Sequence, residues 1–106
     1  VRSLTGDHVD LYEIATSGIS LDELQNPNMW VRGDKLEGVL KEGVDFIGLF
    51  SDRDEISWFP DINMLMSDKI YVNSWYIGFH GQRATSAKLI FVKPSENKVF
   101  YVSVRT

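Results

Sequence analysis

The sequence predicts an α+β fold, with N-terminal helices packed on one face of an antiparallel β-sheet formed by the C-terminal two-thirds of the chain. Three observations carry that expectation. Apolar residues recur near helical spacing up to about residue 43, and the period then shortens towards the alternation of strands. Near the end, Pro94-Ser95-Glu96-Asn97 separates two strand-like runs by a turn of hairpin length. The chain has 106 residues, 43% of them hydrophobic, enough for one core and one globular domain over 1–106.

The elements follow in order. In "GDHVDLYEIATSG", Val9, Leu11, Tyr12, Ile14 and Ala15 fall near helical spacing, and Gly18 suits the left-handed position after a helix end. That spacing predicts a helix over about 7–17. "SLDEL" offers a capping box, in which Ser20 accepts from the backbone N–H of Glu23. It predicts a short helix over about 20–25, stopped before Pro27. "GDKLEGVLKEG" predicts a third helix with Asp34 as its N-cap, Leu36, Val39 and Leu40 inward, and Gly43 at its end. "VDFIGLFS" and "ISWF" then read as strands, while "PDINMLMSDK" favours neither period. "IYVNSWYIGF", "AKLIFVK" and "KVFYVSV" are the strong strands. Alternation places Phe100, Val102 and Val104 on one face of the last, with Tyr101 and Ser103 on the other. In the first it groups Tyr71, Asn73, Trp75, Ile77 and Phe79 as the core side.

Composition excludes several functions. The chain has no cysteine, hence no disulfide framework, thiolate metal site or thiol nucleophile. No apolar run approaches the roughly 20 residues that cross a bilayer, so no membrane contact is expected and the cytoplasm is the expected location. A first residue of valine rather than methionine suggests a trimmed chain. The net charge of −4 is unevenly spread: residues 1–61 carry 13 Asp/Glu against 5 Lys/Arg, and residues 62–106 carry 2 against 6. An acidic first half repels phosphate backbones, which argues against direct nucleic-acid binding, and attracts a basic protein surface.

Catalytic and cofactor motifs are missing. His8 and His80 are the only histidines and lack metal-ligand spacing, the glycines form no phosphate cradle, and no serine sits in a Gly-x-Ser-x-Gly elbow. No cofactor or metal is expected. A metal-independent ribonuclease using His8 and His80 remains the enzymatic alternative, because two imidazoles can both take and give a proton near neutrality. Its difficulty is the acidic balance, with His8 flanked by Asp7 and Val9 and followed by Asp10.

Two stretches, "GISLDELQNPNMW" (Gly18–Trp30) and "YVNSWYI" (Tyr71–Ile77), together resemble small bacterial immunity proteins of polymorphic or contact-dependent toxin systems. The resemblance covers about 20 residues of the chain's 106 and implies a cytosolic single-domain protein that binds and blocks one cognate toxin domain without catalysis of its own. A non-catalytic binding protein of another kind, phage-encoded or regulatory, is the second alternative. The residues themselves supply candidates for the contact. "WFPDINMLM" concentrates apolar side chains among acids, either as a loop folded over the core or as an adaptable contact surface. The candidate anchors are Trp30, Trp58, Met64 and Met66, with Asp52, Asp54, Glu55 and Asp61 as a charged rim that suits a basic, nuclease-type toxin. His80 and Arg83, on the loop after the Trp75 strand, complete the set.

Overall fold

The computed structural model describes residues 2–5, 9–51 and 56–105. Among these, six strands form one antiparallel sheet: β1 (Arg2–Thr5), β2 (Val9–Ala15), β3 (Val31–Arg32), β4 (Tyr71–His80), β5 (Arg83–Lys93) and β6 (Lys98–Arg105). Their spatial order is β1-β2-β6-β5-β4-β3. Helices α1 (Leu21–Leu24), α2 (Gly38–Ser51) and α3 (Ile62–Leu65) interrupt the strands. The fold class is α+β, with α2 laid across β4, β5 and β6.

The last two strands form where alternation and turn chemistry predict. Phe100, Val102 and Val104 are buried towards the helices, opposite Phe91, Leu89 and Ala87 of β5. The hairpin turn takes one 3-10 turn over Pro94–Glu96 and closes on Asn97 with φ of 52°. That left-handed conformation crowds a Cβ against the carbonyl, and asparagine tolerates it better than most residues. Asn97→Ala is expected to cost roughly 1 kcal/mol and Asn97→Gly far less, read from the midpoints of urea unfolding. Lys93 and Lys98 flank the turn, with their Nζ atoms 2.5 Å and 3.5 Å from the Glu96 carboxylate. The hydrogen bond from Lys93 holds that carboxyl below its ordinary range.

Residues 9–15 correct the expected helix. They form β2, paired along its length with β6. The five apolar positions satisfy a helical stripe and two alternating faces equally well. The pairing with β6 decides between them, because Leu11 then joins the core opposite Val102 while Tyr12 and Ile14 lie on the other side. Glu13 is buried opposite Phe100, with Lys98 Nζ at 3.8 Å.

The segment 33–51 is corrected in two respects. Asp34 is no helix cap: it lies in a 3-10 turn over Gly33–Lys35, and its carboxylate accepts from Arg32 at 2.6 and 3.0 Å. That hydrogen bond lowers the Asp34 pKa. The helix runs instead from Gly38 to Ser51, taking in the run expected as a strand. Leu40, Val44 and Ile47 repeat at i, i+4 and i+7 and all meet the core, whereas Val39 is 59% exposed. Gly43 falls inside the helix rather than at its end. A Cβ there would stand 2.6 Å from Ile77 Cδ1, so the glycine lets α2 approach β4 closely.

Residues 56–66 are the other correction. "ISWF" makes a turn, with Phe59 N–H donating to Ile56 O at 3.1 Å, and not a strand. Ile56, Phe59 and Leu65 are buried members of the core, and Trp58, Ile62, Met64 and Met66 pack against it. Phe59 meets Phe91 and Phe100 edge-on, at ring separations of 6.1 and 5.6 Å. The segment therefore closes the core beside α2. The short helix α1 is where its capping box predicts, with Ser20 Oγ accepting from Glu23 N–H at 3.4 Å.

Candidate functional site

The sheet has one covered face and one largely open face, and a break in β4 decides what each shows. The pairing of β4 with β5 slips between Ser74 and Tyr76 and again between Gly78 and Phe79. A bulge inserts one residue and reverses the alternation beyond it. Val72 is therefore buried before the bulge and Ile77 packs on the core after it. Trp75, expected in the core, is 66% exposed and leans on Tyr101 at a ring separation of 6.0 Å. Asn73 lies on the same open face, only half-buried.

The strand registers order this open face into rows. Asp10, Ser103, Lys88 and Tyr76 lie side by side across β2, β6, β5 and β4. The next row is Tyr12, Tyr101, Ile90 and Asn73, with Trp75 beside it. The third is Ile14, Val99, Val92 and Tyr71. A concavity of about 330 Å³ sits over the first two rows, lined by Asp10, Tyr12, Trp75, Lys88 and Tyr101 among others. Residues 16–30 cover part of the third row: Leu24 and Val92 are both buried, and with Trp30 and Tyr101 they line a second concavity of about 500 Å³. Gln25 Nε2 donates to the Tyr71 hydroxyl at 3.3 Å, which ties this segment to β4.

The covered side ends in the outer surface of α2. Glu42, Asp45 and Leu49 share one helical face at i, i+3 and i+7, and Leu49 is 76% exposed. Between this face and the β4–β5 hairpin lies a groove of about 430 Å³, which adds Phe46, Gln82 and Arg83. Lys41 Nζ is 2.9 Å from the Asp45 carboxylate, and that hydrogen bond raises the lysine pKa.

The candidate residues divide between these surfaces. Arg83 lines the α2 groove, and exposed His80 is its cross-strand partner at the hairpin end. Trp58, Met64 and Met66 are half-buried on the core, and Asp61 caps α3 by accepting from Met64 N–H at 2.8 Å. Trp30 is on the opposite side of the sheet, beside the third row. His8, Asp52, Asp54 and Glu55 lie outside the described residues. Sequence reasoning missed Tyr12, Trp75 and Tyr76 as a surface group. The separation of Tyr101 and Ser103 from Phe100, Val102 and Val104 was the one signal that pointed to it.

Among the described residues, no three His, Cys, Asp or Glu side chains converge as a metal cluster, and no helix is long and apolar enough to cross a membrane. Comparison with protein-family models, with curated proteins and with solved structures finds no match.

Proposed function

We propose that this chain is a non-catalytic binding protein that neutralises a toxin domain with a basic surface, acting in the cytoplasm. The observation that carries the reading is the outer face of α2, where a highly exposed Leu49 stands among Glu42 and the Lys41-paired Asp45, with Arg83 across the groove. In sequence it runs directly into Asp52, Asp54 and Glu55. An exposed apolar group rimmed by acids suits a basic protein partner, since the rim steers encounter and the apolar centre is desolvated on contact. The resemblance of Gly18–Trp30 and Tyr71–Ile77 to immunity proteins also supports it.

The test is co-expression with the products of the neighbouring genes. One of them is expected to arrest growth alone and to be harmless beside this protein. Leu49→Arg and Glu42→Lys should each weaken the purified complex by about tenfold or more, with thermal midpoints unchanged because both side chains are exposed. Neighbours that are harmless alone, or that still kill in the presence of this protein, would overturn the reading.

A further inference from the structure

The sheet ends on one side in a strand that is mostly unpaired. β3 matches only Val31 to Val72 and Arg32 to Tyr71 of β4. Before Val31 the chain turns away, with Trp30 N–H donating to Asn26 O at 3.0 Å. Among the described residues, no backbone hydrogen bond from outside the sheet reaches residues 73–80. In an antiparallel sheet every second residue turns both its N–H and its C=O to the same neighbour. Beyond Val72, alternate residues of β4 therefore direct these groups away from β5, where no strand receives them. We infer that this edge takes up an extended, uncharged segment of a partner protein, which joins the sheet as a further strand along the line where β3 leaves off.

The backbone and the sequence of the edge select such an occupant. Outward N–H and C=O groups in alternation are matched by the backbone of another extended chain, at the strand spacing of about 4.8 Å. An unpaired strand ordinarily carries charges, prolines or bulges that keep other strands away. Residues 70–82 contain no Asp, Glu, Lys, Arg or Pro. The bulge at Trp75 is such a device, but it stands near the start of the free edge. The second slip leaves its extra residue, Thr85, on β5, so residues 76–80 run unbroken along the outside. At roughly 3.4 Å per residue that stretch spans about 17 Å, the length of an ordinary strand.

Apolar side chains flank the edge above and below. Tyr76, on the open face, is 56% exposed. Phe79 shares the helix side with Ile77, yet it is 38% exposed. Val39, one turn before Gly43 on the same face of α2, is exposed as well. An added strand gives Tyr76 a neighbour on one side and Phe79 a neighbour on the other. A charged side chain placed against these groups would lose water without gaining a partner, so the segment is uncharged where it crosses them. Its backbone supplies the affinity and its alternate side chains the selectivity. The edge shares no residue with the acid-rimmed face of α2, and the inference stands whatever that face binds.

Random peptides about a dozen residues long, displayed on phage and selected against the unmodified chain, test the inference. The enriched sequences are expected to be uncharged at their centres and rich in β-branched and aromatic residues. Synthetic copies should bind saturably and slow amide exchange at residues 76–80. Methylating the peptide's own amide nitrogens one at a time should weaken binding at least about tenfold at every second position and leave the positions between unaffected, because only alternate amides face β4. Tyr76→Lys and Phe79→Lys should each weaken binding about tenfold or more, with thermal unfolding checking that the fold is kept. If a lysine variant does not fold, the methylation series on the unmodified chain still decides. No enrichment, binding indifferent to backbone methylation, or protection gained elsewhere than on β4 would each overturn the inference. So would self-association that displaces the peptide from β4, which would make a second copy the occupant.

Discussion

Phe59→Ala is expected to lower the free energy of unfolding by about 3–5 kcal/mol, the usual range for truncating a buried phenylalanine. Phe59 is the side chain through which residues 56–65 grip the sheet. Its ring is buried and meets Phe91 and Phe100 edge-on, and Trp58 packs against it at 6.3 Å. Removing it leaves a cavity between β5, β6 and the turn, and the neighbours sit on strands that cannot close the gap. Total stability for a domain of this size is about 5–15 kcal/mol, so the variant should be near the edge of folding at 37 °C. Guanidinium unfolding reads the change as a lower midpoint at constant slope. A loss under about 1 kcal/mol would mean that the segment does not belong to the core.

The second large effect is expected at Gly33. A Cβ there would stand 2.2 Å from Leu65 O and 2.6 Å from Ser67 O. Those are backbone atoms at the end of α3, so no side chain can rotate away. Gly33 N–H also donates to Ile70 O at 2.7 Å, which joins this segment to the start of β4. Gly33→Ala must therefore push α3 and Ser67 outward or break that hydrogen bond, at a cost of about 3 kcal/mol, the upper end of overpacking. Amide exchange should report the place, with protection lost at residue 33 and near Leu65 while β5 and β6 keep theirs. A Gly33→Ala variant as stable as the unmodified chain would show that the backbones do not approach so closely.

Much of the architecture was legible because it is written locally. The capping serine before α1, the turn after Lys93 and the alternation in β6 each need only a few residues of sequence. Residues 9–15 were not legible in the same way. Their spacing fits a helix and a strand alike, and the choice depends on a partner, β6, some ninety residues later. The run 44–51 mixes a helical stripe with apparent alternation, since buried Phe46 adds to the set of Val44 and Ile47. Trp75 failed for another reason. The bulge that turns it outward is a property of the β4–β5 pair, and nothing in "NSWYIG" alone says where the register slips. The candidate surfaces inherit these limits: the charge asymmetry was visible, but the face carrying Leu49 needed α2 in place. The aromatic rows needed both the corrected β2 and the slip in β4.

The strand order has a consequence for how the protein is made. β6, residues 98–105, lies between β2 and β5, so the N-terminal hairpin has no sheet to join until those residues have left the ribosome. Until then β1 and β2 on one side, and β4 and β5 on the other, present bare strands and half a core to the cell. Completion of the sheet thus waits for residues 98–105 and is expected to be slow for a domain of this size, since Val9 of β2 pairs with Val104 of β6. During synthesis the chain depends on whatever keeps nascent apolar strands from aggregating.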